Sequence, residues 1–172
     1  MKPIHLTLIC HARTAAQRVG RFALDGESLL DMPSLVPEPA VRYLSAPELR
    51  ARQTAEGLRA TVDEGLRDCD LGTWKGQPLK HLDEAALQAW LSDPHATPHG
   101  GESLAALCER VAHWMDSALG EGEWTAVTHP FVIRAAMLHA LGAPLQSFHR
   151  IDVQPLASAR FSHYGQWRVR LA

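Results

Sequence analysis

The chain has 172 residues, 46% of them apolar and 21% charged, with 17 Lys and Arg against 19 Asp and Glu, for a net charge of −2. That length and apolar share describe one soluble globular domain, 1–172, with a core of its own, and the near-neutral balance excludes a general nucleic-acid binder. Three widely spaced cysteines, Cys10, Cys69 and Cys108, exclude a disulfide framework and point to free thiols in a reducing, cytoplasmic setting.

The first apolar, β-branched run covers residues 4–9, which is too short for a signal peptide or a membrane span and reads as a buried strand. It runs into Cys10-His11. In an open α/β sheet ligands bind beyond the carboxyl ends of strands, so His11 is placed for chemistry; taken alone it fits a strand cap equally well. Residues 14–19 read as a short helix or loop, Gly20-Arg21 and Asp25-Gly26 as turns, and residues 28–39, with Pro33, Pro37 and Pro39, as a loop. A second strand is predicted at 42–45 and a helix at 47–60, with Leu49, Ala51, Thr54, Ala55 and Leu58 inward and Arg50 in the first turn. From there a guanidinium can point back at the strand end.

Residues 62–74 form a connecting stretch with four acids, Asp63, Glu64, Asp68 and Asp70, where Gly72, Gly76 and Pro78 forbid a long helix. A helix is predicted at 79–92, with Leu82, Ala86, Leu87 and Trp90 on one face. A Pro-, His- and Gly-containing loop follows at 94–101, then a long helix capped by Ser103 and running to 119. Residues 124–128 are a strand, followed by His129 and by Pro130 at a helix start, with the helix stopping near Gly142. Residues 156–162 and 166–171 alternate and flank Tyr164-Gly165 as a hairpin. Strands alternating with helices mean an α/β sandwich. His129 repeats the design of His11, a strand-end histidine followed by small or helix-starting residues. The ten histidines are otherwise scattered, with no HExxH or CxxC spacing, so no metal or other cofactor is expected.

Five blocks in order resemble the histidine phosphatase superfamily, the phosphoglycerate-mutase-like fold. Cys10-His11-Ala12-Arg13-Thr14 stands for the family's Arg-His-Gly-Glu-Thr, and Ser45-Ala46-Pro47-Glu48-Leu49-Arg50-Ala51-Arg52-Gln53-Thr54-Ala55 for its Ser-Ser-Pro-x-x-Arg-Ala-x-Gln-Thr-Ala. Leu66-Arg67-Asp68 with Gly72-Thr73-Trp74-Lys75-Gly76 matches Leu-x-Glu and Gly-x-Trp-x-Gly. Gly100 to Ser103 matches a Gly-Gly-Glu-Ser block, and Val127 to Arg134 matches Val-x-His-Gly-x-x-Ile-Arg. The resemblance implies a three-layer α/β/α sandwich with a mixed, mainly parallel central sheet. It also implies a site: His11 as the nucleophile that becomes phosphohistidine, Arg50 on the equatorial oxygens, a protonated His129 beside them, and Asp68 as acid and then base, with Asp70 the lesser candidate. Thr14, Arg13 and Arg21 complete the expected phosphate-binding set. The implied partner is a small phosphorylated substrate, met by a monomer or homodimer, with no nucleic acid and no membrane.

Four departures surround the phosphate. Cys10 replaces an Arg, a loss on the order of 10³-fold if the arginine-finger scale applies. Ala12 replaces a Gly, Arg13 an acid, and Pro130 a Gly together with its N–H donor. An arginine from among Arg13, Arg18, Arg21 and Arg134, Arg21 foremost, is expected to reach toward Cys10. Two readings follow: a phosphomonoesterase, or a degenerate relative that binds a phosphorylated ligand without turning it over.

Overall fold

In the computed structural model, which describes residues 2–172, the run Ile4–Cys10 forms strand β1. Leu6, Leu8 and Cys10 alternate inward and are buried, while the residues between them are half-buried, as a period of two requires. On one side β1 pairs in parallel with β4 (Gly122–Thr128), and on the other it pairs antiparallel with β5 (Ser158–His163). β2 (Val41–Ser45) lies parallel to β4, β3 (Thr61–Val62) parallel to β2, and β6 (Trp167–Arg170) antiparallel to β5. The sheet order is β3-β2-β4-β1-β5-β6. This is the mixed, mainly parallel sheet that the sequence implied. Ala126 and Val127 are neighbours on β4 and point to opposite faces, and both are fully buried, so both faces of the sheet centre are covered.

Helix α4 (Leu104–Ser117) buries Leu104, Leu107, Val111, Trp114 and Met115, the face its spacing predicts, and Ser103 Oγ caps it by accepting the Ala106 N–H at 3.0 Å. It packs on α5 (Pro130–Leu141), which also meets β1, β5 and β6. Gly142 ends α5 in the left-handed region, at φ 60°. The remaining α-helices are α1 (Ala15–Val19), α2 (Leu49–Thr54) and α3 (Glu84–Ser92).

Two predicted helices differ in extent. The helix expected over 47–60 is α2 followed by a 3₁₀ turn at Glu56–Leu58, because Glu48 keeps an extended backbone (φ −67°, ψ 148°) and Arg59 turns left-handed at φ 54°. The helix expected from residue 79 opens as a 3₁₀ turn at Leu79–His81, and α3 starts after Asp83, whose carboxylate accepts the Ala86 N–H. On α3 Trp90 is buried, whereas Ala86 and Leu87, like Leu82 just before the helix, are half-buried.

Candidate active site

The site begins with the β1–β4 ladder. Cys10 pairs with Thr128, so the next residue of each strand, His11 and His129, leaves the sheet at the same level. Their rings meet edge to face, with centroids 5.3 Å apart. The His11 N–H donates to Thr128 O at 3.0 Å, which extends the ladder by one rung. His11 is buried, and its Nδ1–H donates to Ala12 O at 2.8 Å. A carbonyl can only accept, so Nδ1 carries the proton and Nε2 keeps its lone pair. Burial, helped by neighbouring His129, pushes the His11 imidazole down to about 4, so the ring is neutral at physiological pH. The Ala12 N–H donates to Thr54 Oγ1, whose own hydroxyl donates to Arg50 O, so the His11 loop is tied to the helix that carries Arg50.

Arg50 is 2% exposed. Its Nη1 donates to Leu24 O at 3.0 Å and its Nη2 to Asp68 Oδ2 at 2.6 Å. The second bond is charge-assisted and short. Asp68 Oδ1 accepts the Cys69 N–H, and Oδ2 lies 3.4 Å from His129 Nδ1. Burial acts to raise the Asp68 pKa, but the charges of His129 and Arg50 outweigh it and hold the carboxyl below its ordinary range. His11, Arg50, His129 and Asp68 therefore converge.

Glu48 completes the cluster, and no motif singled it out in the sequence. Its Oε2 lies 2.7 Å from His129 Nε2, and its Oε1 accepts the Asp68 N–H at 2.9 Å. Burial would raise its pKa, but the bond to His129 keeps the group below the usual carboxylate range. A sequence signal exists in hindsight: an acid two residues before the motif Arg, just past a strand end and a proline.

A cavity of about 780 Å³ opens over His11 and is lined also by Thr14, Arg21, Arg50, Asp68 and Asp70. Thr14 is buried, and its Oγ1 caps α1 by accepting the Gln17 N–H. Asp70 sits at the exposed rim, bonded to the Gly72 N–H and 3.5 Å from Lys75, away from the Arg50–Asp68 pair. Lys75 also reaches Asp25 at 3.4 Å, which links two walls of the cavity. Arg21 lines the cavity, but both of its Nη atoms are held by Glu27, at 2.8 and 2.6 Å.

Arg13 is not brought to the site. Its side chain is 63% exposed and faces Asp31 in a separate depression lined by Met32 and Leu156, because the chain has left the strand by residue 11 and Arg13 lies against the neighbouring loop, its carbonyl accepting the Leu30 N–H at 2.9 Å. Arg18 is exposed. Arg134 donates to Ile151 O at 2.6 Å, with its guanidinium over the rings of Phe131 and Phe148. Of the four arginines expected near Cys10, Arg21 alone lines the His11 cavity, while Arg134 is the one whose charge acts on the Cys10 thiol. Cys10 itself is fully buried, and burial together with the Asp68 charge pushes its thiol up to about 12. It is therefore a protonated thiol and a poor nucleophile. Among the described residues no group of three His, Cys, Asp or Glu could hold a metal ion, and no helix is long and apolar enough to cross a membrane.

A sequence profile of the histidine phosphatase superfamily (branch 1) matches residues 30–171, which leaves the altered first block outside the matched span. A bifunctional protein of Mycobacterium tuberculosis strain H37Rv is 30% identical over 146 residues, covering 80% of this chain and 40% of that protein. The chain thus spans about 40% of the length of the curated relatives it matches at this level. A glucosyl-3-phosphoglycerate phosphatase of Mycolicibacterium vanbaalenii is 26% identical over 179 residues, covering 86% of this chain and 79% of that protein. Among solved structures, phosphoserine phosphatase from Entamoeba histolytica, in complex with 3-phosphoglyceric acid, superposes with a TM-score of 0.82 at 18% identity, covering 96% of this chain and 94% of that one. At that identity the likeness is one of fold.

Proposed function

The chain belongs to the histidine phosphatase superfamily, and on that premise we propose that it is a phosphomonoesterase that hydrolyses a small phosphorylated metabolite through a phosphohistidine. One observation carries the reading: His11 is neutral, its Nδ1 is committed to Ala12 O, and its Nε2 is left for phosphorus in a cavity shared with Arg50 and Asp68. Nε2 attacks phosphorus as the ester P–O bond breaks. Arg50 and His129 take the charge on the equatorial oxygens. Asp68 delivers a proton to the departing alcohol; as a carboxylate it then takes a proton from the water that attacks the phosphohistidine, and cleavage of the P–N bond restores neutral His11.

Asp68 begins as a carboxylate bound to Arg50. A substrate phosphate competes for that guanidinium. Once it is bound, Asp68 has lost a hydrogen bond and gained a neighbouring negative charge, and both changes raise its affinity for the proton it must donate. Free buried thiols at Cys10, Cys69 and Cys108 suit a reducing compartment.

A second reading is binding without turnover. It is favoured by Cys10, a neutral thiol where the family has a cation, and by two carboxylates beside Arg50 and His129. The experiment that separates the readings is a screen of phosphorylated metabolites for phosphate release, run beside His11→Ala. Release that disappears in the variant supports hydrolysis. Ligand binding with no release in either protein supports the second reading.

A further inference from the structure

We infer that Glu48 is a positioning residue for this site: it fixes which nitrogen of His129 faces the reacting phosphoryl group and couples that ring to Asp68 through a single carboxylate. The inference rests on the phosphatase reading above.

The side chain of Glu48 is only 9% exposed, and a buried carboxylate is costly unless its oxygens are satisfied. The two oxygens have different partners. Oε2 meets His129 Nε2 at 2.7 Å, and Oε1 accepts the Asp68 N–H at 2.9 Å. An ionised carboxylate only accepts, so Nε2 must carry a proton and point at Glu48. That turns Nδ1 toward Asp68 Oδ2, 3.4 Å away, where it is buried without a hydrogen-bond partner. Nδ1 is then the nitrogen that a phosphoryl oxygen meets. The groups facing His129 are Glu48 from the cap of α2, Asp68 from the segment before Cys69, and His11 from the end of β1, while Arg50 of α2 meets the same Asp68 oxygen.

A purely local role for Glu48 does not account for these contacts. It occupies the N-cap of α2 yet makes no side-chain bond to the helix, so the carboxylate is diverted from capping to the site. The arrangement matches the general device in which a carboxylate holds one imidazole nitrogen so that the other is aimed, a device worth about 10- to 100-fold where it orients a metal-bound histidine. With Cys10 a neutral thiol, Arg50 and His129 are the groups beside His11 that can hold phosphoryl oxygens, so the aim of the ring matters more.

The test has three readouts on Glu48→Gln, which keeps the shape but offers one acceptor where two are needed. We expect kcat to fall about 10- to 100-fold with KM changed by less than about 3-fold. Affinity for vanadate, which mimics the five-coordinate transition state, should fall by a similar factor while affinity for inorganic phosphate barely moves. In a His129→Ala background the substitution should cost less than about 2-fold. Equal losses in both backgrounds, or parallel loss of vanadate and phosphate binding, would overturn the inference. If the variant does not fold, ring ¹⁵N spectra of the native protein decide: a proton on Nε2 of His129 is expected, and a bare Nε2 refutes the assignment. The spectra and the vanadate titration need no turnover. A native protein that binds vanadate with His129 so oriented but releases no phosphate would therefore count against hydrolysis and not against Glu48.

Discussion

Asp68 Oδ2 accepts from Arg50 Nη2 at 2.6 Å while lying 3.4 Å from His129 Nδ1. One carboxylate oxygen thus stands between the two groups that hold phosphoryl oxygens in the proposed mechanism, and on that reading an incoming phosphate competes with the proposed acid.

Asp68→Asn should therefore act in opposite directions on binding and turnover. With the competing charge gone, inorganic phosphate should bind about 10-fold more tightly, equivalent to about 1.4 kcal/mol. Without an acid and base, kcat should fall by about 10²- to 10⁴-fold. Calorimetric titration beside steady-state rates checks both, and unchanged or weaker phosphate binding would contradict the competition.

The covalent intermediate should be trappable. Brief incubation with a phosphorylated substrate, quenched in alkali, should leave phosphate on His11 as a base-stable, acid-labile phosphoramidate. The label should be absent from His11→Ala and should persist longer in Asp68→Asn, where water lacks its base. Full activity in His11→Ala would remove the mechanism.

The pH profile should carry the depressed His11 pKa. Burial and neighbouring His129 lower it to about 4, so the ring stays a nucleophile through the range near pH 6.5 where an ordinary histidine gains its proton. Activity attributable to His11 should persist at pH 5–6 and decline as pH falls through about 4. The same shift has a sign for stability: between about 6.5 and 4 the unfolded chain binds the proton more readily, so stability falls as pH falls through that window. Urea unfolding at pH 7 and pH 5 should show that loss, and His11→Gln should reduce it.

The cysteines should be inert in the folded chain. All three are buried, and burial pushes Cys10 up to about 12, raises Cys69 and takes Cys108 to about 11. Thiol-reactive reagent at pH 8 should modify none of them until denaturant is added, because the thiolate is the reactive form. Rapid labelling of Cys10 in the native protein would reopen its candidacy as a nucleophile.

How much of this was legible in the sequence depended on whether a residue's partners were local. The strands ending at His11 and His129 announced themselves through apolar runs, and Ser103 announced α4 through its position before a helical stripe. Arg50 and Asp68 came through block resemblance. Glu48 did not, because its meaning lies in His129, 81 positions away, and an isolated acid at a helix start reads as a cap. Arg21 was expected to supply a cation, and no pattern in the chain revealed that Glu27 takes up both arms of its guanidinium. Arg13 failed for a geometric reason: the chain leaves the strand at His11, and two residues later Arg13 is already bonded to the loop at Leu30 and faces Asp31.

The pairing of Cys10 with Thr128 has a consequence for how this site can change over time. The distance between the two histidines is set by main-chain hydrogen bonds, not by side-chain choice, so it comes in whole rungs. A slip by one rung would turn every inward residue of β1 outward, which the core would not survive. The histidine pair is therefore inherited intact or lost. Variation is confined to what hangs over it, the segment of residues 20–40 and the rim around Asp70 and Lys75, where, on the phosphatase reading, the cavity can be recut for a new ester without disturbing the histidine pair beneath.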